Sequence, residues 1–310
     1  MNLSYLTMVL PGAIWLFLFS YLPMPGIVMA FKTYKLIRPP ADFFIQNRFV
    51  YSLIMSKWVG LNNFRYLTLP TNIDNTITYI RNTVLYNLLF MVVGLVLSVA
   101  LAVIVYEITN RFLAKLYHSV LFLPFFISWI VVAYVVYALG SSNGIINSLS
   151  TNLGLGPIEI YKEKGFWPII FLVANIWRYT GNGSIIYLAT ITGIDRELYE
   201  AAAIDGAGKW KQFTYITLPM LIPVIVLLQI LAVGRIFGSD FDMLYTLPNG
   251  AALVKDVTYT LDVYVYGMLR SATPLGYPAA ASFLQSVVGF ILILVTNYIV
   301  KKTRPEMSLF

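Results

Sequence analysis

The chain has 310 residues, of which 59% are hydrophobic and 11% are charged, whereas an ordinary soluble domain has roughly 45–50% apolar and about 25% charged residues. It contains no cysteine and one histidine, His118, which excludes a disulfide scaffold and any zinc or nucleophile site built from cysteine and histidine. The net charge of +7 comes from basic residues spread singly between apolar segments, a pattern that predicts basic loops at a membrane surface and no nucleic-acid partner.

Six apolar segments are long enough to cross the hydrocarbon core of a bilayer, which is about 30 Å thick and requires roughly 20 residues of helix. We therefore predict an all-α, polytopic transmembrane helical bundle that forms a single domain. The predicted spans are residues 5–31, 83–106, 119–139, 166–189, 220–239 and 282–300. The first segment is interpreted as a span and not as a signal peptide, because its apolar run is too long and no basic residue precedes it.

Six spans place both chain ends on the same side of the membrane, and the density of Lys and Arg indicates which side that is. The segments on this side, 107–118, 190–219 and 301–310, carry eight basic residues in about 52 positions, against eleven in about 120 on the other side. This roughly twofold bias favours cytoplasmic termini. A basic cluster at residues 32–38 opposes it.

The segment 190–219 contains a short helix whose two ends can be predicted. Asp195 is a good N-cap, and Glu197 lies in the first turn, where the helix dipole favours an acidic side chain. The helix is predicted to end near Ile204, since Gly206 and Gly208 can take the left-handed or otherwise unusual backbone conformation that turns a chain back. On these residues alone, a surface helix with a glycine stop and a docking helix for a partner protein are equally good interpretations.

The spacing within this loop favours the docking helix. The loop carries the pattern Glu-Ala-Ala, three residues, Gly, nine residues, Ile, one residue, Leu-Pro, formed by Glu200, Ala201, Ala202, Gly206, Ile216, Leu218 and Pro219. This pattern is the complete signature loop of ABC-importer permeases. The sequence resembles the binding-protein-dependent permease subunits of bacterial carbohydrate importers, and within them the oligosaccharide and polysaccharide branch that includes uronate and alginate importers. Further resemblance lies at residues 21–24, 58–61, 81–83, 123–129, 185–189 and 285–289.

The resemblance implies the ABC-importer permease fold with six spans and a subunit without enzymatic activity. It implies that the helix at 195–208 is a coupling helix, which docks on a cytoplasmic ATPase dimer that itself binds ATP and Mg²⁺. The docking contacts it implies come from Glu200, Ala201, Ala202, Asp205, Gly206 and Ala207. It also implies a second, non-identical permease, an extracytoplasmic substrate-binding protein and a bacterial inner-membrane location. No cofactor or metal is expected in this chain.

The residues themselves agree that ATP is bound elsewhere. Residues 206–209 read Gly-Ala-Gly-Lys, but Ala203 stands where a phosphate-binding loop requires its first glycine, and Trp210 stands where it requires Ser or Thr. An intramembrane transferase, the alternative from another class, would need paired carboxylates or a His-containing motif at one membrane face. No Asp-x-x-Asp or His-Glu-x-x-His run lies within a predicted span. A permease for an oligosaccharide, or for another solute, is therefore preferred.

Arg178 lies near the middle of the fourth predicted span, where a charge costs several kcal/mol unless it is paired or hydrated. With Asn175, Tyr179 and Asn182 it follows the i, i+3, i+4, i+7 spacing of one helix face. We interpret this face as the lining of a translocation path; the alternative is that Arg178 pairs with the partner permease. The glycines on either side of Asn182 predict a break or widening of the helix. Two further candidates for the path are Gln229 and Arg235. Arg235 lies near the outer end of the fifth predicted span, where snorkelling of its side chain to the membrane surface is an equally good interpretation.

These residue types indicate a sugar that carries acid groups. Amides and aromatic rings suit the hydroxyls and ring faces of a saccharide, and a guanidinium can hold a carboxylate through two parallel hydrogen bonds. The hypothesis is an acidic oligosaccharide such as alginate or another uronate. It is opposed by four acidic residues of the outer segment, which would repel an anion: Asp240, Asp242, Asp256 and Asp262. Elsewhere, Glu107 is predicted to face lipid headgroups, and residues 39–58 have no role beyond contact with a binding protein.

Overall fold

The computed structural model describes residues 3–40, 43, 44 and 46–310, and the regular secondary structure among them is helical. The only strand-like pairing in the described ranges is an isolated bridge between Lys32 and Trp58. In chain order the α-helices are α1 Leu3–Leu16, α2 Arg48–Met55, α3 Ile73–Glu107, α4 Arg111–Phe122, α5 Trp129–Gly140, α6 Ile145–Asn152, α7 Phe166–Thr192, α8 Arg196–Ile204, α9 Lys209–Gln212, α10 Leu218–Val233, α11 Phe241–Thr246, α12 Lys255–Thr258, α13 Leu261–Arg270 and α14 Gly276–Thr303.

Five helical runs among the described residues are long and apolar enough to cross a membrane, and a shorter apolar helix covers Phe112–Phe126. The five runs are Thr7–Phe31, Ile73–Glu107, Trp129–Asn152, Lys209–Val233 and Gly276–Thr303. The fourth predicted span corresponds to α7, which has the necessary length. It is less apolar than the others because it carries Asn175, Arg178 and Asn182.

The third predicted span, 119–139, is not one continuous helix. It is divided between α4 and α5 by a 3₁₀ turn at Leu123–Phe126 that contains Pro124, a residue that lacks a backbone N–H for a helical hydrogen bond. A new helix then starts after Ser128, whose hydroxyl accepts a hydrogen bond from the Val131 N–H at 3.4 Å. The interruption places Trp129 at the N-terminus of a helix, inside an apolar stretch of the chain.

The predicted break of the fourth span beside Asn182 is wrong, because α7 is continuous from Phe166 to Thr192. The neighbouring glycines instead allow close packing. A Cβ atom on Gly181 would lie 2.0 Å from the carbonyl oxygen of Leu121, and one on Gly183 would lie 2.6 Å from the hydroxyl of Ser98. The glycines are therefore required by the approach of α4 and α3 to α7.

The fifth predicted span, 220–239, is displaced toward the N-terminus in the structure. The helical run begins at Lys209, passes through a π-helical turn at Phe213–Thr217, and ends at Val233. The chain leaves regular helix at Gly234 and continues through turns to α11. Arg235, which was assigned to the outer end of this span, consequently lies in a turn and is exposed.

The chain divides into two compact units, of which the first comprises the residues up to Thr76 together with Tyr264–Ser286. Its small core contains Leu67, Val265, Met268 and Ala281. The buried Asn63 amide donates to the carbonyls of Ala30 at 2.9 Å and Lys32 at 3.0 Å. The Lys32 ammonium in turn donates to the last carbonyls of α2. These bonds fix the segment that contains residues 39–58, of which 41, 42 and 45 lie outside the described residues.

The second unit comprises Ile77–Val263 and Val287–Phe310, and it contains both candidate sites. One buried cluster includes Trp167, Phe171, Met243 and Leu244, and it supports the region around Arg178. A second buried cluster supports the loop 190–219 and contains Val99, Ala102, Tyr187, Ile191 and Leu221.

Candidate functional site

The loop 190–219 contains the predicted helix, α8, with the predicted ends. The Asp195 carboxylate accepts a hydrogen bond from the Glu197 N–H at 3.0 Å, which caps the first turn. The C-terminus is a Schellman motif. Ala207 N–H donates to the carbonyl of Ala202 at 2.8 Å, and Gly206 N–H donates to that of Ala203 at 3.1 Å.

Gly206 makes this turn possible because its φ is +80°, a conformation that glycine takes at little cost and other L-residues rarely take. Gly208 differs, since its φ is −70° and it serves as the N-cap of α9. The two glycines were predicted together as unusual backbone positions, and only Gly206 requires one.

The six residues predicted to contact an ATPase lie on a mainly exposed surface. Ala202 and Ala207 are half-buried, and the exposed ones are Glu200, Ala201, Asp205 and Gly206. Glu200 pairs with Arg196 at 3.4 Å within the helix. Beside them, the side chain of Ile204 is 87% exposed. Ile204 therefore adds an exposed apolar side chain to this surface, and the sequence prediction had placed it only as a helix end.

The base of this loop is anchored to the neighbouring helices. The Tyr199 hydroxyl lies 2.9 Å from that of Thr217, and the Lys209 ammonium lies 2.6 Å from the Glu107 carboxylate at the end of α3. Glu107, for which only a position facing headgroups was predicted, thus has an ion-pair partner within the chain. A cavity of about 310 Å³ lies between these elements, and its lining includes Val103, Tyr106, Ile191, Tyr199, Phe213 and Thr217.

The ion pair between Glu107 and Lys209 gives a first testable prediction. If this loop has the coupling role that the sequence resemblance implies, Lys209→Glu should reduce ATP hydrolysis by the partner ATPase by roughly fivefold or less, because an exposed pair contributes about 0–1 kcal/mol. The exchanged variant, Glu107→Lys with Lys209→Glu, should recover most of the loss. Lys211→Glu adds the same charge two positions away and should have little effect. An exchanged variant as impaired as Lys209→Glu would disprove a role for the pair.

The second candidate site surrounds Arg178, near the middle of α7. Its guanidinium carbon lies 4.4 Å from the ring centroid of Trp129 and 5.6 Å from that of Tyr179, within the range of cation–π attraction. The Nε and Nη1 atoms are buried and have no hydrogen-bond partner. None of the ion pairs in the described part of the chain involves Arg178. An arginine in this state can donate hydrogen bonds to an anionic or carbonyl ligand without breaking an existing bond.

Asp240 belongs to the same cluster. Its Oδ2 atom accepts hydrogen bonds from the Tyr179 hydroxyl at 2.8 Å and from the Trp129 indole N–H at 3.0 Å. Burial raises the pKa of the Asp240 carboxyl, while these two hydrogen bonds and the nearby Arg178 act in the opposite direction. The sequence had placed Asp240 in an outer segment as a group that repels anions, and it had assigned no role to Trp129.

The other predicted path residues are not all in this cluster. Asn175 is buried on α7 and Asn182 is half-buried. Gln229 lies beside the Tyr187 hydroxyl, and Arg235 is exposed in the turn after α10. No group of three His, Cys, Asp or Glu side chains in the described ranges is placed to hold a metal ion. Trp129 and Asp240 could not have been found from helical spacing, since they are 111 positions apart.

Comparison with known proteins decides the family. A family model described as "Binding-protein-dependent transport system inner membrane component" matches residues 94–305. The chain belongs to this family. It is a permease subunit of an ABC importer and has no catalytic role of its own, as its relatives are permease proteins of transport systems.

Several relatives match most of the chain. The polygalacturonan/rhamnogalacturonan transport system permease protein YteP of Bacillus subtilis (strain 168) is 33% identical over 301 residues, which are 96% of this chain and 88% of that protein. The lactose transport system permease protein LacF of Rhizobium radiobacter is 27% identical over 229 residues, or 73% of this chain and 76% of that protein.

A solved structure has the same fold. It is the crystal structure of a bacterial ABC transporter involved in the import of the acidic polysaccharide alginate; the matching chain has a TM-score of 0.81 and 27% identity, with coverage of 97% of this chain and 96% of that chain. The alginate transporter has also been solved with its alginate pentasaccharide-bound periplasmic protein, with a TM-score of 0.80. The prediction of an all-α, ABC-importer permease fold is therefore confirmed.

Proposed function

We propose that this permease forms part of the translocation path for an acidic oligosaccharide, such as an oligogalacturonate or an alginate oligomer. The observation that carries the proposal is the buried and unpaired edge of Arg178, stacked on Trp129. A carboxylate of a uronate would satisfy these donors through charge-assisted hydrogen bonds. The similarity to a polygalacturonan permease and to an alginate importer supports the same class of substrate.

The aromatic surroundings of Arg178 suit the rest of such a ligand. Sugar rings present apolar faces to aromatic side chains and hydroxyls to amides. Tyr179 and Trp129 flank the guanidinium, and Asn182 lies half-buried one turn along the same helix. We assign the lining to Asn175, Arg178, Tyr179 and Asn182, with Gln229 and Arg235 further along the path.

We also propose that α8 couples this path to a cytoplasmic ATPase dimer, which binds ATP and Mg²⁺. The contact surface comprises Glu200, Ala201, Ala202, Asp205, Gly206 and Ala207, to which we add the exposed Ile204. The Lys209–Glu107 ion pair and the Tyr199–Thr217 hydrogen bond would transmit the movement of α8 to α3 and to the start of α10. Both chain termini then lie in the cytoplasm.

Two further partners complete the proposed assembly: a second, non-identical permease and an extracytoplasmic substrate-binding protein. The segment that contains residues 39–58 is a candidate contact for the binding protein. In and around it, five basic side chains are exposed and make no ion pair within the described ranges: Lys35, Arg38, Arg48, Lys57 and Arg65. Such a surface suits a partner with an acidic face.

A neutral oligosaccharide is the second candidate substrate. It is favoured by the similarity to a lactose permease. On that interpretation, Arg178 would pair with a carboxylate or carbonyl of the second permease. The two substrates are distinguished by comparing uptake of a uronate oligomer with uptake of its methyl ester, which differs mainly in charge.

Assembly is tested by purifying the tagged chain gently from its native membrane and identifying the proteins that accompany it. Wild type should bring an ATPase and a second permease. Glu200→Lys and Gly206→Pro should lose the ATPase and keep the second permease, because they alter only the exposed loop. Recovery of the chain alone, under conditions that preserve known complexes, would count against the proposed assembly.

A further inference from the structure

The carboxylate of Asp240 lies close to Arg178, yet the two side chains do not form an ion pair. Asp240 Oδ2 is occupied by the Tyr179 hydroxyl and the Trp129 indole N–H. Its Oδ1 accepts from the Met243 N–H at 3.4 Å, which caps the start of α11. The carboxylate is therefore held by donors from three separate helices, none of which carries a charge.

The same two aromatic residues also hold Arg178. Each presents its ring to the guanidinium and its polar edge to Asp240: the guanidinium carbon is 4.4 Å from the Trp129 centroid and 5.6 Å from the Tyr179 centroid. Trp129 and Tyr179 thus contact both a cation and a nearby anion, which form no ion pair with each other. The arrangement leaves the Nε and Nη1 donors of Arg178 unsatisfied.

Keeping Arg178 and Asp240 unpaired costs free energy unless a ligand binds to the arginine. A buried, unpaired charge is costly, and a direct Arg–Asp pair would lower that cost. If Asp240 paired with Arg178, the arginine would lose its net attraction for an anionic substrate, and the substrate would have to displace an internal carboxylate. The hydrogen bonds to Asp240 prevent this competition.

We infer that Asp240 is a specificity-determining, positioning residue: Trp129 and Tyr179 hold its carboxylate away from Arg178, so that Arg178 remains available to a carboxylate of the substrate. This inference rests on the proposed uptake of an acidic oligosaccharide. It assigns to Asp240 a part in anion selection, in place of the repulsion expected from its charge alone.

The decisive variant is Tyr179→Phe, which removes the hydroxyl donor and keeps the ring beside Arg178. Asp240, with one hydrogen bond fewer, should then pair with Arg178. The preference of the assembled transporter for a uronate oligomer over its methyl ester should fall about tenfold, since a hydrogen bond to a charged group is lost. Uptake of the methyl ester, which has no carboxylate to compete with Asp240 for Arg178, should fall less than uptake of the uronate oligomer. Tyr137→Phe, a tyrosine outside this cluster, is the matched control.

The double variant Tyr179→Phe with Asp240→Asn distinguishes this role from a structural one. Asn cannot neutralise Arg178, so the preference for the uronate oligomer should return to at least the wild-type value. Loss of uptake of both substrates in Tyr179→Phe, or no recovery in the double variant, would overturn the inference. A wild-type transporter with no preference for the uronate oligomer would instead refute the proposed substrate class, so the two failures are separable.

Discussion

Gly206→Pro should abolish ATP-driven uptake while the permease still inserts and folds. Gly206 has a φ of +80°, whereas proline is fixed near −65°. Proline would also remove the N–H that donates to the carbonyl of Ala203. The Schellman motif at the end of α8, which needs a left-handed residue at position 206, would be lost, and the exposed contact surface would change shape. Substrate-stimulated ATP hydrolysis and uptake should both fall to background.

Gly208→Ala provides a matched control in the same loop. Gly208 has a φ of −70°, and a Cβ atom there would meet nothing within 4 Å. Alanine at this position should therefore transport at close to the wild-type rate. If Gly206→Pro transported as well as Gly208→Ala, α8 would not be the element that couples the ATPase to the membrane helices.

Arg178→Gln should lower uptake of a uronate oligomer at least tenfold and leave its methyl ester little affected. Glutamine keeps a polar side chain but loses the positive charge and the stacking on Trp129. A charge-assisted hydrogen bond contributes about 1.5–3 kcal/mol, which corresponds to a change of tenfold or more. The measurement is initial uptake of each labelled oligomer at equal expression of the permease.

Two further variants make this prediction specific. Arg178→Lys keeps the charge but not the planar guanidinium, so it should retain part of the preference. Arg235→Gln removes a positive charge from an exposed position and should change uptake far less. Equal loss of both oligomers in Arg178→Gln would favour a structural contact with the second permease, and wild-type uptake of the uronate would disprove the substrate contact.

The structure of the loop 190–219 could be predicted from the sequence because it is determined locally. The Asp195 cap, the end at Ile204 and the left-handed Gly206 depend on hydrogen bonds between residues at most five positions apart. Helix capping and glycine preferences describe such bonds well. The Glu107–Lys209 pair joins distant parts of the chain, and no local pattern predicted it.

The structure of the membrane helices could be predicted less completely than that of the loop. Apolar content located them, but it did not distinguish a continuous helix from one interrupted at Pro124. The glycine at 181 was predicted to break the helix, whereas it lies where the backbone of Leu121 closely approaches α7. Composition measures how apolar a segment is, whereas breaks and close approaches depend on neighbours that are distant in sequence.

The Arg178 site was predicted only in part for the same reason. An arginine within an apolar span is unusual enough to identify a site by itself. Trp129 starts a helix that the third predicted span did not distinguish. Asp240 caps the start of α11 and lies just outside the fifth predicted span. Asp240 was consequently predicted to repel anions, whereas in the structure its carboxylate accepts hydrogen bonds from Tyr179 and Trp129.

Reconstitution would examine the whole proposal at once. The permease would be placed in liposomes with the second permease, the ATPase and the binding protein recovered by co-purification. Uptake of labelled oligogalacturonate and of its methyl ester would then be followed with and without ATP and Mg²⁺. We expect accumulation of the acidic oligomer that requires ATP and is abolished by Arg178→Gln. Accumulation without ATP, or equal accumulation of the two oligomers by wild type, would show that this permease is not an ATP-driven importer selective for acidic oligosaccharides.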